Sequence, residues 1–171
     1  MSINKKNILL YAFKSDDWIG GIYYIRNVAM QISTNENIIK SHDIYIYTLN
    51  GNYKYYKDLE DKVIIRYFEH PLSLFNLLRY YIRDGIKYIF PSTRKRVSLY
   101  LKRIDWIPDF QDSKLPSNFS NEEIQGRNRM NRFLAMKGRK VVLSSKDCKN
   151  DFVKYYSPID AKVYVMPFIS Y

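Results

Sequence analysis

Short apolar runs, each cut off by proline, glycine or a polar cluster, alternate along this chain with stretches whose apolar residues recur every three or four positions. "NILLYAF" at 7–13 is the first such run. After it, Ile22, Ile25, Val28, Ala29 and Ile32 fall at helical spacing. The same signals predict strands at 43–50, 62–70, 87–92, 104–108, 140–145 and 161–168. Helices are expected at 72–85, 121–138 and 146–157, with Gly85 and Gly138 as stops. Ser120 and Glu123 stand at the spacing of a capping box. The basic run "RKRVSLYLKR" at 94–103 reads as a short helix or an extended segment. Strands alternating with helices predict a parallel sheet covered on both faces. The fold class is therefore α/β, Rossmann-like and doubly wound, in a single domain over 1–171.

A length of 171 residues with 46% hydrophobic content suffices for a packed core and excludes a disordered chain. No apolar run approaches the roughly 20 residues of a membrane span. "MSINKKNILLYAF" begins like a secretion signal, but Lys14, Asp16 and Asp17 break the run and no small-residue cleavage site follows. The expectation is a first strand in a cytoplasmic protein. The single cysteine, Cys148, offers no disulfide and no zinc spacing, and reads as a small packed hydrophobe.

A net charge of +11 suggests an anionic partner: nucleic acid, a membrane surface or a phosphorylated ligand. It has a second source in the abundance of Lys, Asn, Ile and Tyr, which AT-rich codons favour. Nucleic acid is not expected, because no helix-turn-helix, zinc finger or aromatic RNA-binding strand motif is present. Arg94, Lys95 and Arg96 lead the densest basic stretch. They form either a solvated face or a contact for anionic lipid or a diphosphate.

Parallel sheets bind ligands beyond the C-terminal ends of their strands. Four loops are expected to share that rim: 15–21, 91–96, 108–111 and 144–147. Gly20 and Gly21, at a helix start, either let backbone N–H groups approach an anion or make a plain tight turn. They match neither a G-x-G-x-x-G nor a phosphate-loop motif. Asp109 is a general base, a hydrogen-bond acceptor for a sugar hydroxyl, or a turn residue. Gln111 would hold a second hydroxyl. Phe110, like Trp106, either packs in the core or borders the ligand. One of Ser144 and Ser145 caps the following helix. No His, Cys or carboxylate cluster suggests a metal, and His42 and His70 fall away from the rim.

Three segments together resemble the N-terminal half of a GT-B glycosyltransferase of the large bacterial retaining group, glycosyl transferases group 1. They are "ILLYAFKSDDWIGGIYYIRNVAMQI", "IDWIPDFQDSKLPSNFSNEEIQGRNRM" and "VVLSSKDCKNDFVKYY" with "KVYVMPF" after it. The resemblance implies one Rossmann-like domain of two, the acceptor-binding one. It implies a C-terminal nucleotide-sugar-binding domain that is absent here, so that the chain is a fragment or a half completed by another chain. Gly20 and Gly21 match the loop facing donor phosphate and acceptor. Asp109, with Phe110 and Gln111, lies in the loop where relatives place a histidine near the reacting sugar. Ser144 and Ser145 match a loop lining the cleft.

The implied function is transfer of a sugar from a nucleotide-sugar donor to a glycan or lipid-linked acceptor in cell-surface polysaccharide synthesis. The donor would be held mainly by the other domain. No cofactor and no metal would be needed, and the expected place is the cytoplasm or the inner face of the membrane. The alternatives are a non-catalytic subunit that recruits a catalytic chain to the membrane, and a nucleotide-binding or regulatory α/β domain.

Overall fold

The structure is a computed structural model that describes residues 6–13, 18–92, 101–136, 138–157 and 161–168. By its internal contacts the chain divides into two compact units, one drawn from residues up to Arg103 and the other from Ile104–Phe168. Each carries its own parallel sheet.

The first unit contains β1 (Asn7–Ala12), α1 (Ile19–Ser33), α2 (Glu36–Ile39), β2 (Ile44–Leu49), α3 (Tyr53–Tyr56), β3 (Ile64–Phe68), α4 (Leu74–Arg83), β4 (Ile86–Phe90) and β5 (Lys102–Arg103). Its five strands run in the order β3-β2-β1-β4-β5, all parallel. That is the doubly wound order, which reverses direction between β1 and β4. The α/β class expected from the alternation holds.

In β2, residues Ile44 to Thr48 are all buried. The Ile/Tyr alternation there does not separate core from solvent. It separates two covered faces, as in a parallel sheet with helices on either side. Tyr45 and Tyr47 join Leu9, Leu77, Tyr81, Ile86 and Ile89 in one cluster beneath α4. α1 packs on β1 and β2 with Ile22, Tyr24, Ile25 and Ala29 buried.

Asp84 ends α4, and Gly85 follows at φ 60°, the left-handed conformation that glycine allows at a helix stop. The Asp84 carboxylate is buried and fully engaged. Arg66 donates to both oxygens (2.5 and 2.7 Å), Tyr47 donates its hydroxyl (2.5 Å), and Arg83 adds a contact at 3.2 Å. Asn7 Nδ2 donates to the Asp84 carbonyl at 2.8 Å. Burial pushes this carboxyl up, but the hydrogen bonds from Arg66, Tyr47 and Arg83 outweigh it and hold it below its ordinary value.

The second unit contains β6 (Asp105–Ile107), α5 (Gln111–Lys114), α6 (Asn121–Leu134), β7 (Lys140–Leu143), α7 (Lys146–Tyr156) and β8 (Lys162–Val165). Its strands pair in the parallel order β6-β7-β8. The core is Ile107, Phe110, Leu134, Ala135, Val141, Leu143, Cys148 and Phe152. The capping box forms: Glu123 N–H donates to Ser120 Oγ (3.2 Å) and Ser120 N–H to the Glu123 carboxylate (2.9 Å).

The structure differs from the sequence reading in two respects, the number of sheets and the end of α6. One sheet was expected, and two are hydrogen-bonded, with only Ile104 between β5 and β6. A three-residue strand carries too little pattern to specify its partner, and β6 pairs with β7, more than thirty residues away. At the described end of the basic run the extended reading holds: Lys102 and Arg103 pair with β4 as a short outer strand, where charged side chains suit an edge. α6 ends at Leu134, before Gly138, whose φ of 79° serves the turn into β7. Among the described residues, no helix is long and apolar enough to cross a membrane.

Candidate functional site

The C-terminal end of the three-stranded sheet gathers five of the expected residues. β6 stops at Pro108, and the chain turns into α5 through Asp109, Phe110 and Gln111. Asp109 Oδ1 accepts the Gln111 N–H at 3.2 Å, so the aspartate builds the turn itself. Its side chain nonetheless stays 40% exposed, and Arg127 Nη1 of α6 lies 3.8 Å from Oδ1. Gln111 is exposed beside it. The turn and rim readings of Asp109 are therefore compatible: one oxygen holds the backbone while the group still faces solvent.

The remaining three expected residues serve the fold. Phe110 is buried and lies nearly parallel to Phe152, with ring centroids 6.2 Å apart and further contacts to Tyr155 and Tyr156. It is a core residue, because the turn made by Asp109 directs the next side chain inward. Ser144 is buried, and its Oγ accepts the Trp106 indole N–H at 2.9 Å. Ser145 Oγ accepts the Cys148 N–H at 2.9 Å and caps α7. The Cys148 thiol contacts the Ile107 carbonyl at 3.6 Å. Burial pushes it up to about 11, leaving it protonated near neutral pH.

Two residues at this end were not singled out from the sequence. Arg127 lies over the Phe119 ring at 4.8 Å and 3.8 Å from both Asp109 and Asp112. Asp112, in α5, is only 1% exposed, and neither carboxylate oxygen receives a hydrogen bond. Arg127 is the cation within 4 Å of it among the described residues. No local pattern marks them. Arg127 is one of several arginines on α6, and Asp112 reads as an ordinary first-turn acid until burial is known.

Comparison of the chain with protein-family models, with curated proteins and with solved structures finds no match.

Gly20 and Gly21 belong to the other unit, in the first turn of α1 after β1, next to the point where the strand order reverses. Gly20 is exposed, and a Cβ there would meet nothing within 4 Å. At Gly21 a Cβ would sit 2.2 Å from the Trp18 ring. Gly21 is a glycine because an indole packs on its backbone. That explains the residue through packing inside the chain. The strands that precede the four loops expected on one rim thus lie in two separate sheets, β1 and β4 in the first and β6 and β7 in the second. Arg94, Lys95 and Arg96 lie outside the described residues. Among those described, no group of three or more His, Cys, Asp or Glu is placed to hold a metal.

The chemistry available at the β6 rim is that of a polar contact surface. Asp109 and Gln111 can accept and donate hydrogen bonds, and Arg127 supplies a cation between two carboxylates. This set suits a polyhydroxylated ligand.

Proposed function

We propose that the chain is the acceptor-binding part of a glycosyltransferase, holding a glycan or lipid-linked acceptor while a nucleotide sugar donates its sugar. The observation that carries this reading is the exposed Asp109–Gln111–Arg127 set at the C-terminal end of a parallel strand, where ligands of such sheets bind. The doubly wound order of the first unit and the three segments resembling GT-B enzymes support it. In this reading Asp109 and Gln111 hold acceptor hydroxyls. No cofactor is required, and transfer relies on positioning of the two reactants.

The test is acceptor binding with stability measured alongside. Nuclear magnetic resonance titration with neutral oligosaccharides and undecaprenyl-type lipid-linked sugars should move the amide signals of Asp109, Gln111 and Arg127. Asp109→Asn keeps the turn but loses the charge. It should weaken acceptor binding by roughly tenfold, the value of one hydrogen bond to a charged group, with the thermal midpoint nearly unchanged. Signals that stay fixed for every acceptor would reject the reading.

A further inference from the structure

A surface remote in sequence from the Asp109 rim has no role in that reading. α4 carries an apolar stripe wider than the sheet can cover. Leu77 and Tyr81 face the core. Phe75 and Ile82, seven positions apart and so about 20° apart around the helix, are 77% and 82% exposed. Leu74 is also exposed, and Leu78 is half-buried between the two sets. A large phenyl ring and a large branched side chain held almost wholly in water on one helix face mark a contact surface.

Two further features indicate what the stripe meets. Beside Ile82 a cavity of about 490 Å³ opens between Leu78, Tyr81, Ile86, Lys87 and Leu101. Around the stripe, Arg79 and Arg83 follow on the next face of the helix and Lys87 is exposed at the start of β4. α4 itself has no acidic residue. The residue that follows it, Asp84, has its carboxylate buried and neutralised by Arg66. The surface is thus an apolar ridge bordered by cations, on a chain of net charge +11.

We infer that the Phe75–Leu78–Ile82 face of α4 docks on an anionic lipid surface. Phe75 and Ile82 enter the boundary between headgroups and acyl chains, while Arg79, Arg83 and Lys87 pair with lipid phosphates. This placement stands independently of the glycosyltransferase reading and does not involve Arg94, Lys95 or Arg96. Charge complementarity selects lipid over a second copy of the chain, which would bring the same cations face to face.

The experiment is co-sedimentation of the full chain with vesicles of phosphatidylcholine alone and of phosphatidylcholine with phosphatidylglycerol, at low and high salt. The wild-type chain should bind the anionic vesicles, and salt should weaken that binding. Phe75→Ser with Ile82→Ser should weaken it roughly tenfold or more. Arg79→Glu with Lys87→Glu should weaken it and flatten its salt dependence. Both double variants should keep the wild-type thermal midpoint, since their side chains point into solvent. Arg83 is left unchanged because it also contacts Asp84. Undiminished vesicle binding by the Phe75/Ile82 variant would overturn the proposal. So would a wild-type dimer that this variant dissolves, which would make the face a self-interface. A large fall in that variant's midpoint would show the face to be covered within the chain and would overturn the proposal too.

Discussion

Two buried aspartates, Asp84 in the first unit and Asp112 in the second, are provided for in opposite ways. Asp84 receives hydrogen bonds from Arg66, Tyr47 and Arg83, and its backbone carbonyl takes another from Asn7. Asp112 is buried more deeply, yet no hydrogen bond reaches its carboxylate, and its nearest cation stands 3.8 Å away. A buried charge is tolerated when hydrogen bonds replace its lost hydration, and is costly otherwise. Asp84 is therefore part of what joins the end of α4 to the sheet. Asp112 contributes nothing comparable to the fold, and it lies beside the exposed polar rim.

The sharpest way to break this contrast is to make the same change at both positions. Asp84→Leu should destabilise the protein by about 3–5 kcal/mol, because it strands a guanidinium and a tyrosine hydroxyl around a lost partner. Asp112→Leu should leave stability within about 1 kcal/mol or raise it, because it removes a poorly compensated charge. Chemical denaturation of the two variants beside the wild type measures both. Equal losses would show that Asp112 is also part of the structural framework.

Acid sharpens the comparison further. The Asp84 carboxyl titrates below its unfolded value, so its stabilisation is complete above the ordinary carboxylate range. It is lost as pH falls through the lowered folded value. Stability should therefore drop steeply below about pH 4. Asp84→Asn should start lower at neutral pH and lose less on acidification, and denaturation midpoints between neutral and strongly acid buffer would show the two curves converging. Curves that stay parallel would mean that Asp84 does not carry the acid sensitivity.

Much of the first unit was legible because its signals are local. The alternation of runs predicts the strands and main helices to within a few residues, and the Ser120–Glu123 spacing does the same for α6 in the second unit. The division into two sheets was not legible. It depends on which strand β6 joins, and parallel pairing is decided by non-local packing. At the rim, Asp109 and Gln111 were legible from a proline-ended strand followed by polar residues. Phe110 was not, since its direction depends on the turn that Asp109 makes. Arg127 reaches the site from another helix, and Asp112 gains significance only once burial is known.

A smaller effect separates the adjacent glycines of α1. Gly21→Ala should cost about 1–3 kcal/mol, since the new methyl must displace the Trp18 ring. Gly20→Ala, with open space around it, should gain about 0.5–1 kcal/mol from helix propensity. Thermal midpoints, with Trp18 fluorescence in a Trp106→Phe background as a local signal, would check the pair. A neutral Gly21→Ala would mean that the indole can move aside, leaving the glycine to be explained by something other than packing.

The lone cysteine gives the second unit a built-in reporter. Cys148 is buried, and burial pushes its thiol up to about 11, so it stays protonated at neutral pH. Alkylating reagents must therefore wait for the β6–α7 core to open, and the labelling rate counts those openings. With no other thiol in the chain, the signal needs no mutagenesis. It would time the fluctuations of one half of the molecule while Trp18, read in a Trp106→Phe background, watches the other.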